Sequence, residues 1–178
     1  MLIKNHEFKA KVDTLEVYEN MLLTLNPILQ GTDFQIDTYF NVQKGRLKLR
    51  EGNIENSLIN YDRENIHGSK KSEIILYQHE PSKALKSILE LQLGILTIVD
   101  KKRKIYFIDN VKFHFDEVKN LGVFIEVEAI DSDNKFTPEE LKIQCDHYYE
   151  FFGLNESQMI DKSYSDLIED FKNQPIVN

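Results

Sequence analysis

The sequence predicts an α+β fold, an eight-stranded antiparallel β-barrel with helices packed outside, and three observations carry that expectation. Segments of strict polar and apolar alternation recur along the chain, and such alternation marks strands with two chemically different faces. Turn signals a few residues long separate most of them, which favours hairpins over the long crossovers of a parallel sheet. Only three or four segments carry helical spacing, and they fall between runs of strands.

Taken in order, the first strand is 7–12, with Glu7, Lys9 and Lys11 on one face and Phe8, Ala10 and Val12 on the other. Leu15, Tyr18, Leu22 and Leu25 then recur at helical spacing over 13–26, with Asp13 or Thr14 as N-cap and Pro27 and Gly31 as the stop. A hairpin follows, 34–42 and 46–51, turning around Gly45. Strands at 57–63 and 72–78 flank a polar loop at 64–71. Residues 82–93 form an amphipathic helix with Ser82 as its cap and Gly94 as its stop. Strands 96–101 running on to 103–109, then 111–117 and 123–130, turn at Asp109-Asn110 and between Lys119 and Gly122. Thr137 starts a helix over 138–152, with Glu139 and Glu140 in its first turn. A short helix spans 164–171.

A length of 178 residues with 41% hydrophobic content suits one substantial core, so residues 1–178 are expected to form a single domain. The lone cysteine, Cys145, excludes an internal disulfide and fits a reducing compartment. The N-terminus has no signal-peptide pattern and no apolar run is long enough to span a membrane, so a cytoplasmic protein is expected. A formal net charge of −8 argues against nucleic acid or an anionic membrane as partner.

The polar strand faces depart from that acidic total. They collect Lys9, Lys11, Arg46, Lys48, Arg50, Arg63, Lys101 and Arg103, with the acids Glu7, Asp116, Glu126 and Glu128. The opposite faces, such as Phe113 with Phe115 and Ile125 with Val127, are apolar enough to lie under helices. The charged faces are then expected to line the barrel, where crowded like charges are costly unless neutralised. A phosphate-rich anion neutralises them through charge-assisted hydrogen bonds. Glu126 and Glu128, with Glu7 or Asp116, are candidate ligands for Mg²⁺ or Mn²⁺. A metal there turns carboxylate repulsion into a bridge to phosphate and serves phosphoryl transfer.

The ordered motifs resemble those of the CYTH, or triphosphate tunnel, family, and of its class IV adenylate cyclase branch. They are HEFKAKV at 6–12, GRLKLRE at 45–51, NYDR at 60–63, the run from Val99 to Ala129 containing KxR, HxD and LGxFxExE, and KSYSDLI at 162–168. The resemblance implies an eight-stranded tunnel that binds a triphosphate and one or two divalent ions. By motif position it makes Glu126, Glu128 and Glu7 metal ligands with Asp116 nearby. It also makes Lys11, Lys48, Arg50, Arg63, Lys101 and Arg103 phosphate ligands, and Asp116, Lys101 and Arg103 are the expected catalytic residues. Family members cyclise ATP or hydrolyse thiamine triphosphate or inorganic tripolyphosphate. The family's Glu-x-Glu-x-Lys signature reads Glu7-x-Lys9-x-Lys11 here, so an amine replaces one metal carboxylate and either contacts phosphate or neutralises a remaining Glu. A non-catalytic nucleotide or polyphosphate sensor is the alternative that Lys9 motivates, and a homodimer is compatible with all of this.

Among the remaining residues, His114 stands even between tuning the site and serving as a hydrogen-bonded lumen histidine. Cys145 reads as core, and Tyr164 either closes the tunnel mouth or packs, with packing the favoured reading. Tyr39 and Tyr61 alternate with lumen positions, where a base could stack on them, although strand tyrosines usually pack.

Overall fold

The computed structural model describes the backbone of residues 2–62 and 70–172 and side chains at 4–61 and 74–172. Its strands are β1 (Leu2–Val12), β2 (Ile28–Phe40), β3 (Arg46–Glu51), β4 (Ser57–Asp62), β5 (Lys70–Gln78), β6 (Ile95–Ile108), β7 (Val111–Val118) and β8 (Gly122–Asp131). Neighbours pair antiparallel in the order β1-β5-β4-β3-β2-β6-β7-β8, and β8 pairs back onto β1 over residues 123–131 and 4–12, which closes the barrel. The helices are α1 (Glu16–Leu23), α2 (Lys83–Leu93), α3 (Pro138–Phe151) and α4 (Tyr164–Lys172), with one 3-10 turn at Glu156–Gln158.

Turn chemistry fixes the register. Asp109 adopts φ 50° in the two-residue turn between β6 and β7, Asn120 adopts φ 66° between β7 and β8, and Gly45 adopts φ 65° between β2 and β3. Asn, Asp and Gly tolerate this left-handed conformation, and primed hairpin turns require it. Thr137 caps α3 in a reciprocal box with Glu140, as expected.

Three expectations are corrected. The first helix is shorter than 13–26, because its N-cap is Leu15 and neither Asp13 nor Thr14 supplies a cap bond. Gly31 does not stop that helix; it sits within β2 at φ 143°, where the pairing with β6 shifts register. The strand therefore starts at Ile28 rather than 34, and the bulge bends it. Ser82 occupies the N-cap of α2 but makes no side-chain cap bond.

The main apolar core lies outside the barrel. The outward residues of β1, β7 and β8, including Phe8, Phe113, Phe115, Ile125 and Val127, pack with Leu141, Cys145, Tyr148 and Phe152 of α3 and its end and with Leu22 of α1. Phe113 and Tyr148 meet edge to face at 4.6 Å between centroids. Cys145 is core, its thiol donating to the His6 carbonyl at 3.1 Å and pushed up to about 12 by burial. Helices do not cover the whole outer surface: Phe34 is 63% exposed, and Leu96 and Ile98 on β6 are also exposed.

A strap, residues 52–56, joins β3 to β4 across one barrel end. Ile54 and Glu55 backbone N–H groups donate to the two oxygens of buried Asp33 at 2.9 and 3.0 Å. Asn56 closes the strap on Gly52 through bonds of 3.1 and 3.0 Å. A Cβ on Gly52 would lie 2.5 Å from Asp33 Oδ1 and 2.9 Å from its Cγ, so one of the two must move. Gly52→Ala is expected to cost about 1–3 kcal/mol, checked by urea unfolding. An unchanged midpoint would show that the strap relaxes freely.

Candidate active site

Alternation sends one face of every strand inward. The inward residues enclose a cavity of about 820 Å³. One end is plugged by Tyr39, Ile59, Tyr61, Val99, Val118, Phe124 and Tyr164, with Leu167 and Ile168 of α4 against them. The other end carries Asn5, Glu7, Glu55, Lys112, Glu128 and the strap residue Ile54. The charged centre lies between.

Of the residues singled out in the sequence, Glu7, Lys9, Lys48, Arg50, Lys101, Arg103, Glu126 and Glu128 line this cavity. Asp116 lies behind Arg103 and is fully buried: Arg103 donates to its two oxygens at 2.7 and 2.6 Å, and Tyr164 donates to Oδ2 at 2.7 Å. Those three bonds make it a support for Arg103. Lys11 is exposed and outside the cavity lining, its Nζ 5.8 Å from the Phe124 ring centroid. Arg46 is tied to the start of α4, donating to Ser163 at 2.7 Å, Ser165 at 3.1 Å and Asp166 at 2.9 Å. Arg63 lies outside the described residues.

The expected basic excess is corrected. Among the described residues, six cations line the cavity, and Glu7, Asp37, Glu55, Glu80, Glu126 and Glu128 match them. Asp37, 1% exposed, takes Arg50 at 2.8 and 3.0 Å, Lys101 at 2.8 Å and Lys48 at 3.2 Å. Glu55 takes Arg50 at 2.9 Å, Gln35 at 3.0 Å and Lys112. Sequence reading missed Asp33, Asp37, Glu55 and Lys112. Asp33 and Asp37 share an alternating face with Gln35 and Tyr39, a usable signal, and Lys112 shares the parity of His114. Glu55 sits in an irregular strap, where no periodicity announces it.

These contacts set the electrostatics. Burial pushes Asp37 up, yet Arg50, Lys101 and Lys48 hold it well below the usual carboxylate range. Burial lowers Lys101 to about 7, with Arg103, Arg50 and Lys48 adding to the effect against Asp37. Burial, then the Glu126 and Glu7 charges, raises Glu128 to about 8. Burial and Arg103 hold His114 down at about 3, so it is a neutral imidazole.

His114, Glu126 and Glu128 offer ligand atoms within 4.8 Å of one another. Both His114 ring nitrogens are buried and lack a well-formed hydrogen bond, Nδ1 lying 3.5 Å from Glu126 Oε1, and Glu128 stands beside them. Orphaned nitrogens next to mutually repelling acids fit a divalent cation. Lys9 Nζ stands 3.2 Å from Glu126 Oε2 and 4.3 Å from the Tyr164 ring centroid, so it neutralises a Glu, one of the two roles expected for it.

A model of the CYTH domain matches residues 4–160, and the chain belongs to that family. No curated protein matches the sequence. Among solved structures, the PH1012 protein of Pyrococcus horikoshii is similar, with 24% identity and TM-score 0.79 over 92% of this chain and 98% of that one. A conserved hypothetical protein of Pyrococcus furiosus gives 25% identity and TM-score 0.74 over 92% and 99%. A candidate adenylate cyclase of Vibrio parahaemolyticus shares the fold at 16% identity and TM-score 0.72 over 93% and 97%. Among the described residues, no helix is long and apolar enough to cross a membrane.

Lys101 gives a pH prediction. Its ammonium form exists below about 7 in the protein alone, and a bound anion favours that form. Metal-free tripolyphosphate is therefore expected to bind more tightly as pH falls through 7, with proton uptake measured by calorimetry in buffers of different ionisation enthalpy. Lys101→Arg, charged throughout, should remove the uptake that Lys101 contributes. Unchanged uptake in that variant would assign the proton elsewhere.

Proposed function

We propose that the protein is a divalent-metal-dependent enzyme acting on a triphosphate inside the barrel, the substrate being ATP, tripolyphosphate or thiamine triphosphate. One observation carries the reading: cations from β1, β3, β6 and β7 converge on a cavity that also holds the His114, Glu126 and Glu128 cluster. Arg50, Lys101 and Arg103 would bind phosphate oxygens through charge-assisted hydrogen bonds. Asp116 and Tyr164 hold the Arg103 plane, so little reorganisation accompanies charge development. His114, Glu126 and Glu128 would hold Mg²⁺ or Mn²⁺, and of these two the harder Mg²⁺ is the less suited to an imidazole donor. When bound, the metal supplies charge neutralisation and an activated oxygen nucleophile. Lys101, near neutrality, is placed to hold or release a proton beside the phosphates.

Hydrolysis and cyclisation use the same cradle. The test is a panel of the three triphosphates with Mn²⁺ or Mg²⁺ and chromatographic product analysis: diphosphate with phosphate marks a hydrolase, and cyclic AMP with pyrophosphate marks a cyclase. A second reading, a polyphosphate sensor, is favoured by the Lys9–Glu126 pair, because the ammonium competes with a metal for Oε2. Tight binding with no product from any substrate would replace the first reading by this one.

A further inference from the structure

Every described cation facing the cavity already has a carboxylate of the chain. Lys9 pairs with Glu126 and Arg103 with Asp116. The other four, Lys48, Arg50, Lys101 and Lys112, share just two acids, Asp37 and Glu55. These two acids occupy the places that anionic phosphate oxygens would take on the same side chains.

We propose that Asp37 and Glu55 are built-in anionic occupants of the phosphate cradle, which an incoming ligand must displace, so that they set a charge threshold for entry. The inference rests on the triphosphate reading above and adds the residues that decide which anions the tunnel accepts.

Placing these acids in the cavity carries a desolvation cost. Asp37 is buried at the centre of the barrel wall, where an aliphatic residue would suit an ordinary core. Glu55 is delivered by an irregular strap whose backbone is pinned on both oxygens of Asp33, and Gln35 fixes its carboxylate from the side. The acids offset the positive charge and hold the cationic side chains apart while no ligand is present. A single phosphate group carries too little charge to replace two carboxylates, whereas three linked groups carry enough. The tunnel then discriminates against orthophosphate, which any triphosphate hydrolysis releases.

The test is calorimetry of tripolyphosphate and of orthophosphate, in EDTA, on the wild-type chain, Asp37→Asn and Glu55→Gln, with melting temperatures recorded alongside. The expected result is at least tenfold tighter tripolyphosphate binding by Asp37→Asn, a smaller gain for Glu55→Gln, and orthophosphate binding that appears only in the variants. Unliganded Asp37→Asn should melt lower than wild type, and saturating tripolyphosphate should close the gap. Folded variants that bind tripolyphosphate no better than wild type would overturn the proposal and make the acids simple supports for their cations. If wild type and both variants bind no tripolyphosphate, with or without Mn²⁺, the triphosphate reading itself fails.

Discussion

Arg103→Met should lower kcat/KM on the triphosphate by about a thousandfold, the scale of losing a preorganised donor to developing charge. It should also destabilise the fold by about 3–5 kcal/mol, because Asp116 is left buried with Tyr164 as its remaining hydrogen-bond donor. The two losses separate in the double variant Arg103→Met with Asp116→Asn. Removing the orphaned charge should recover much of the stability, while activity stays lost because the phosphate ligand is still missing. Urea unfolding and steady-state kinetics on the three proteins measure this. Recovery of activity in the double variant would show that Arg103 serves structure alone.

Glu128→Gln should have the opposite sign on stability. The Glu128 carboxyl is raised from its ordinary 4.5 to about 8 by burial and by Glu126 and Glu7. A raised folded-state value contributes stability that is fully present below 4.5 and lost as pH rises through about 8. The metal-free wild type should therefore melt progressively lower across that window, and Glu128→Gln should melt higher than wild type at pH 9. The same variant should bind Mn²⁺ at least about tenfold more weakly and lose most turnover, since one of three donors no longer carries charge. Equal melting at pH 9 would contradict the crowding of acids. Full activity would contradict the metal assignment.

Strand faces were legible in the sequence, and positions along the barrel axis were not. Alternation placed Lys9, Lys48, Arg50, Lys101, Arg103, Glu126 and Glu128 inside correctly, because parity follows from the pleat alone. It could not distinguish Arg50 at the cavity centre from Arg46, which shares its parity but sits at the plugged end against α4. Lys11 fails likewise: it has the parity of Lys9, one step further along β1, where the barrel ends. Depth depends on register between strands far apart in sequence. Asp116 was a candidate metal ligand beside Glu126 and Glu128, yet the β6–β7 register sets it opposite Arg103, which takes its oxygens. The acids that balance the lumen differ in how far they could be read. Asp37 lies in the strand expected at 34–42 and shares the parity of Tyr39, whereas Glu55 reaches the cavity only through the strap held by Asp33.

The whole account requires that a cation and a polyphosphate meet in the barrel's interior. A crystal grown with Mn²⁺ and tripolyphosphate, measured at the manganese absorption edge, tests it directly. An anomalous peak within coordinating distance of His114, Glu126 and Glu128, with phosphate density on Arg50, Lys101 and Arg103, is the predicted outcome. Manganese only on outer surface carboxylates, and a lumen holding nothing but water, would contradict it.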